Sequence, residues 1–112
     1  MTDLQPASRV HRFDAMSDTA YAYSSTGSDG RCDGELACFL AKIGNVTDGS
    51  TIFLDLDAGR MYVTPEYLGR WAGALRTAGF VPGLRGASVS LQYVVALGVH
   101  LEEWALELRI AR

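Results

Sequence analysis

The sequence predicts a small α/β fold, arranged as a partial barrel or an open sheet of about three strands. Two observations predict this class. A strand, a helix and a second strand follow one another with short connections, which is typical of a parallel crossover, and a stretch near the end of the chain alternates apolar with polar residues. The predicted strands are 51–57, 80–84 and 103–111, and the predicted helices are 33–43, 65–78 and 88–98.

The length of the chain predicts a single domain. A chain of 112 residues with 48% hydrophobic content can bury one small core. Residues 1–12 show no periodicity and are expected to form a flexible tail, so the α/β domain is placed at 13–112. Ser17 can cap a short helix that runs to Tyr23.

Glycine is frequent between residues 24 and 34, and this stretch is predicted to be a long loop. The GxxxxGK pattern of a phosphate-binding loop is missing from it. Asp33 is then expected to cap the helix 33–43. The apolar side chains of this helix are spaced by three and four residues, which predicts a buried stripe made of Leu36, Phe39, Leu40 and Ile43.

The segment 51–57 is predicted to be a central, buried strand beside 80–84. Its aliphatic residues Ile52, Leu54 and Leu56 alternate with Phe53, Asp55 and Asp57, so that both acids share the face opposite Leu54. A hairpin between 51–57 and 61–63 is the alternative. The helix after it has Thr64 as its cap, proline at its first position and Gly79 beyond its end, and its buried side is expected to contain Tyr67, Leu68, Trp71, Ala72 and Leu75.

Past residue 86 two structures compete for one stretch. Residues 88–98 fit either an alternating strand or a helix, and Ser88 as cap with Gly98 as terminator favours the helix. The last segment has the period of a half-buried strand, with Trp104, Leu106, Leu108 and Ile110 on one face.

Composition excludes several classes of function. The net charge is -3 and the basic residues form no stripe, so a nucleic-acid partner is not expected. We also expect no membrane span and no signal peptide, which predicts a cytoplasmic protein. Cys32 and Cys38 are expected to be unpaired thiols, and since neither they nor the two histidines have metal-ligand spacing, no metal or cofactor is expected.

The stretches DGELACFLAKIGNVTDGSTIFLDLD and YLGRWAGALRTAGFVPGLRGAS resemble a known family. They are similar to bacterial glycoside-hydrolase-like α/β-barrel domains related to family 25 lysozymes, over about residues 33–111 and best over 49–87. Asp55 and Asp57 lie where that family has its D-x-E carboxylate pair. Three features depart from the family pattern: Asp57 replaces the family's Glu, Arg85 replaces an aromatic residue, and the early strands of a full barrel are absent. A complete barrel needs about 200 residues or more, so a chain of 112 residues can hold only part of one or a contracted derivative.

The resemblance implies a degenerate or partial glycoside-hydrolase-like domain that binds or cleaves a carbohydrate without a metal. Asp55 and Asp57 are then the candidate catalytic acid and base or nucleophile. Tyr62 and Arg85 are the candidate ligand-binding residues. A simpler interpretation is that both acids are solvated residues at a strand end. Trp104, like Trp71, is expected to lie in the core and not on a sugar-stacking platform.

The alternative function is a non-enzymatic interaction protein that forms a homodimer. Three strands cannot close a barrel, and only closure removes every sheet edge. The apolar row of the last strand, which contains Leu106 and Leu108, would then need a cover. A second copy of the chain is the expected cover.

Overall fold

The computed structural model describes residues 29–57 and 63–110, together with the backbone of 10–13 and 19–23. In this part of the chain the elements are β1 (Val10–Phe13), β2 (Thr19–Tyr23), α1 (Gly30–Ile43), β3 (Thr51–Asp55), α2 (Pro65–Thr77), β4 (Val81–Gly86), α3 (Ser88–Ala96), a 3₁₀ turn (Leu101–Glu103) and β5 (Ala105–Leu108). The predicted α/β class, its three helices and its parallel open sheet are confirmed.

The described strands form one sheet whose spatial order is the order of the chain, β1-β2-β3-β4-β5. From β2 to β5 all neighbours are parallel, and β1 is antiparallel to β2. β3 lies between β2 and β4, with Ile52 opposite Pro82 and Asp55 opposite Arg85. The predicted pairing of 51–57 with 80–84 is therefore confirmed, and the hairpin alternative is wrong because both edges of β3 are occupied.

The predicted helix from Ser17 to Tyr23 is wrong, since Thr19–Tyr23 is β2. This segment alternates alanine with tyrosine, and tyrosine fits a pleated surface better than a helix. Its parallel partner β3 lies about thirty residues further on, with Ala22 opposite Leu54. β1 begins at Val10, and residues 1–9 of the predicted tail lie outside the described residues.

α1 begins earlier than predicted, and part of the predicted loop is helical. Asp29 is the actual N-cap, accepting a hydrogen bond from the Cys32 amide at 3.0 Å. Asp33, the predicted cap, lies inside the helix, is 9% exposed and accepts a hydrogen bond from the Tyr67 hydroxyl. Residues 24–28 lie outside the described residues.

α1 packs against α2 through small residues, not through its large apolar ones. Phe39 and Ile43 are 61% and 62% exposed, so the predicted stripe is wrong for these two positions. The buried side of the helix consists of Gly30, Asp33, Gly34, Ala37, Cys38 and Ala41. Glycines on this side let the two helix backbones approach closely, which large side chains would prevent.

α2 forms as predicted. The Thr64 side chain accepts a hydrogen bond from the Tyr67 amide at 3.0 Å, and Gly79 has the positive φ of 91° that ends the helix in a left-handed turn. All five predicted residues of its inner side are buried. Trp71 is fully buried and stacks on Trp104 at a centroid distance of 6.1 Å, which confirms that both rings belong to the core.

The stretch after β4 is a helix, as predicted, and the strand alternative is wrong. Its cap differs from the prediction: Ala87 occupies the N-cap position and no side-chain bond from Ser88 closes the end. The last strand is shorter than predicted, because Leu101–Glu103 forms the 3₁₀ turn before β5. Both cysteines are free, as expected.

Candidate functional site

Five charged side chains gather at the carboxyl ends of the parallel strands. They are Asp55 at the end of β3 and Asp57 just after it, Arg85 on β4, and Glu107 and Arg109 on and after β5, and together we call them the carboxylate–arginine cluster. Parallel strands end at a common edge of the sheet, which is where ligands bind in open α/β sheets. The position of the cluster therefore makes it the candidate site.

The sheet register places three members of the cluster side by side. Asp55 lies opposite Arg85, and Arg85 lies opposite Glu107. The Arg85 guanidinium bridges its two neighbours, with Nη1 at 3.0 Å from Asp55 Oδ2 and Nε at 2.9 Å from Glu107 Oε1. Since residues opposite one another on one sheet face are in direct contact, this row follows from strand pairing alone.

Asp55 is the buried centre of the cluster, at 5% exposure. Two guanidiniums converge on it, because Arg109 Nη2 also donates to both of its oxygens at 2.8 and 2.7 Å. The hydrogen bond to Asp55 is the main reason that the pKa of Arg109 is raised. A buried carboxylate with two cationic partners is compensated for its lost hydration.

Asp57 joins the cluster to the start of α3. Its carboxylate accepts hydrogen bonds from the Ala87 amide at 2.8 Å, from the Ser90 hydroxyl, and from Arg109 Nε at 3.0 Å. Burial raises the pKa of Asp57, but the hydrogen bonds from Ser90, Ala87 and Arg109 outweigh it, so the pKa is lowered overall. The N-cap residue of α3 is Ala87, whose side chain cannot accept a hydrogen bond. The ionised Asp57 carboxylate takes over this capping role and places a negative charge at the N-terminus of the helix, where it is stabilising.

Replacing Asp57 by asparagine is expected to lower the free energy of unfolding by about 1 kcal/mol at pH 7. The neutral amide would replace a carboxylate that is only partly exposed and that accepts strong hydrogen bonds from Ala87, Ser90 and Arg109. The lowered pKa means that this contribution is present above the unfolded value near 3.8 and is lost as the pH falls through the lower folded value. Urea unfolding between pH 7 and pH 3 should show the wild type converging on the variant. A gap that stays constant down to pH 3 would contradict the assignment.

The predicted site residues have different outcomes in space. Asp55, Asp57 and Arg85 come together, whereas Tyr62 lies outside the described residues. Sequence reasoning missed the roles of Arg109 and Ser90. The signal for Arg109 was its place beside Glu107 on the polar side of the last strand, but nothing local indicated that it reaches Asp55, 54 positions away.

The hydrogen bonds that Asp57 accepts favour its ionised form. General-acid catalysis needs a protonated carboxyl with a raised pKa, and the pKa of Asp57 shifts the other way. A single guanidinium, that of Arg109, contacts Asp55 and Asp57 together and so occupies the space between them. As it stands, the cluster is built to join three strands and a helix.

Two clefts lie outside the carboxylate–arginine cluster. A cleft of about 300 Å³ adjoins the cluster at Ser90 and is otherwise apolar, with Leu56, Val63 and Tyr93 among its lining residues. A groove of about 620 Å³ lies between α1 and α2, and Phe39 contributes to it. Neither cleft has Asp55 or Asp57 in its lining.

No family model matches the chain, and no curated protein is similar to it at a significant level. Within the described ranges, no group of three His, Cys, Asp or Glu side chains is placed to hold a metal ion. The helices of those ranges are too short and too polar for any of them to cross a bilayer.

Proposed function

We propose that this domain is an assembly module that pairs with a second copy of itself through β5. The observation that carries the proposal is the state of this strand, which is the last in the sheet order. Its apolar side chains are open to solvent, with Leu106 48%, Leu108 53% and Ile110 76% exposed. Natural edge strands are commonly blunted by charge, proline or a bulge, and an apolar edge is a template for pairing with another chain.

The backbone of this edge is oriented for pairing. The Arg109 amide donates to the Gly86 carbonyl at 2.8 Å, which extends the pairing with β4 past Leu108. Successive residues of a strand direct their backbone N–H and C=O groups to opposite sides, so those groups of Glu107 and Arg109 point toward β4. The amides and carbonyls of Leu106, Leu108 and Ile110 therefore point away from the sheet.

An apolar groove runs beside the same edge. It has a volume of about 240 Å³ between α3 and β5, and Leu91, Val95, Leu101 and Leu108 contribute to its wall. Val95 is 51% exposed, so the helix above the edge strand adds apolar surface to it. A partner strand laid against β5 would place its own apolar side chains in this groove.

A copy of the same chain is the partner that fits, since one self-complementary patch can serve both subunits about a two-fold axis. A standard interface removes about 800 Å² from each partner. In the proposed dimer, this interface would be formed by the two β5 strands and by the two α3 helices that lie beside them. The domain would then act by joining two chains, or whatever is fused to them.

The first test is the mass in solution. Light scattering at micromolar concentration should report twice the chain mass of 12.1 kDa for the wild type. Leu108→Lys should return the protein to the monomer mass, because the dimer would have to bury the lysine ammonium between the two β5 strands. Ile43→Lys is the matched control, since Ile43 is 62% exposed but lies on α1, and it should remain dimeric. A wild type that stays monomeric at the highest soluble concentration would overturn the proposal.

Carbohydrate binding or cleavage at Asp55 and Asp57 stays a prediction of the sequence resemblance. The geometry supports it less than assembly, because guanidiniums already hold both carboxylates. Hydrolysis of peptidoglycan or chitin fragments by a monomeric wild type would favour the carbohydrate function over assembly.

A further inference from the structure

The outer edge of β5 restricts the register in which two copies of the strand can pair, and this inference rests on the proposed function. In an antiparallel pair about a two-fold axis, residues at equal distances before and after the centre lie opposite each other. Outward-facing residues must meet outward-facing residues to exchange hydrogen bonds, and here these are Leu106, Leu108 and Ile110. The two-fold axis must therefore pass through a residue position, not between two residues.

Charge decides among the remaining centres. A pair centred on Glu107 would set that carboxylate opposite its own copy, and one centred on Arg109 would do the same with two guanidiniums. Like charges directly opposite are destabilising in a sheet. A centre at Leu106 would set the apolar Ile110 opposite Glu102, which lies in the 3₁₀ turn Leu101–Glu103 and not in a strand.

The centre at Leu108 satisfies every condition. Leu108 then meets the partner's Leu108, and Leu106 meets the partner's Ile110, so that apolar side chains face one another on the α3 side of the sheet. Glu107 meets the partner's Arg109 on the opposite face, and it does so twice by symmetry. Three hydrogen-bonded residue pairs would form, with about six hydrogen bonds between the chains.

The charged pair falls where side chains are closest. Glu107 and the partner's Arg109 would form a non-hydrogen-bonded pair, for which the Cα separation is only about 4.5 Å. Both side chains have open surface, at 41% exposure for Glu107 and 37% for Arg109. The bonds from Arg109 to Asp55 and Asp57 use Nε and Nη2, and Nη1 takes no part in them.

We infer that two copies of the domain pair through β5 in one antiparallel register centred on Leu108, with Glu107 of each copy facing the partner's Arg109. The row of Asp55, Arg85 and Glu107 then continues into the partner's Arg109 and from there to the partner's Asp55. The carboxylate–arginine cluster becomes a single network that crosses the dimer. Its charges specify the register, and the apolar row supplies the contact.

Cysteine cross-linking tests the register directly. In a Cys32→Ser background, Leu108→Cys places two Cα atoms about 5.5 Å apart, within the range of a disulfide. Leu106→Cys places its own two copies about 14 Å apart, four strand residues from each other. Under mild oxidation the covalent dimer of Leu108→Cys should form at least about tenfold faster than that of Leu106→Cys, because only the first pair lies within bonding range.

A second pair of variants covers the case in which Leu108→Cys weakens the dimer. A mixture of Leu106→Cys and Ile110→Cys should form a mixed covalent dimer faster than either variant alone forms its own. Light scattering of the reduced proteins separates the two hypotheses. A dimer that cross-links through residue 106 and not residue 108 would overturn the register while the assembly function stands, and a monomer in every variant and in the wild type would overturn both.

Discussion

Replacing Leu54 by alanine is expected to lower the free energy of unfolding by about 2 to 5 kcal/mol. Leu54 is 0% exposed within β3, with Ala22 of β2 opposite it on one side and Leu84 of β4 on the other. It belongs to a regular sheet and to the same buried core as Trp71 and Leu75 of α2, so its surroundings have little freedom to close the cavity. The loss is a large part of the roughly 5 to 15 kcal/mol that holds a domain of this kind together.

Urea unfolding followed by circular dichroism measures the effect, with Ile43→Ala as the control. Ile43→Ala also truncates an aliphatic side chain, but at a position that is 62% exposed. Surface substitutions of this kind change the free energy of unfolding by no more than about 0.5 kcal/mol. A Leu54→Ala variant that loses less than about 1 kcal/mol would contradict the central place of β3.

The sequence predicted best those elements whose signals are complete within one short window. α2 has a cap, a first-turn proline, an apolar period and a terminating glycine, all inside residues 64–79. β3 and β4 flank it, and the right-handed crossover rule then leaves little choice in how they pair. In this region the predicted and observed structures agree to within two residues at each end.

Elements that depend on distant partners were missed or misplaced. Thr19–Tyr23 has only five residues, too few to show a strand period in the sequence, and pairing with β3, which follows α1 in the chain, is what makes it a strand. α1 was placed by its apolar stripe, whereas its orientation is decided by how closely Gly30 and Gly34 let it approach α2. Close backbone approach leaves no apolar periodicity in the sequence.

The carboxylate–arginine cluster was predictable in part for the same reason. Asp55 and Asp57 stand out because they end a hydrophobic strand, and this needs only the local pattern. Their partners are brought in by the sheet register and by the end of β5, at separations of 30 to 54 residues. In space the two acids, together with Glu107, form the anionic part of a network whose cationic part is Arg85 and Arg109.

Replacing Gly30 by alanine is expected to cost about 3 kcal/mol or more, at the upper end of what overpacking does. A Cβ at this position would overlap the Tyr67 carbonyl oxygen and lie 2.9 Å from its carbon, and both atoms belong to the backbone of α2. A backbone cannot rotate away as a side chain does, so α1 would have to move outward. That movement would also open the contact of Gly34 with Ala74 and the buried hydrogen bond between Tyr67 and Asp33.

Gly69→Ala provides the control, because it makes the same chemical change within α2 at a position with nothing inside 4 Å of the new Cβ. Alanine in a helix interior is favoured over glycine by about 0.5 to 1 kcal/mol, so this variant should be more stable than the wild type. Thermal unfolding of the two variants should then move in opposite directions, Gly30→Ala down and Gly69→Ala up. Equal stability of Gly30→Ala and the wild type would show that α1 does not lie against α2 at its first turn, since a helix that starts at Gly30 without touching Tyr67 would accept alanine at no cost.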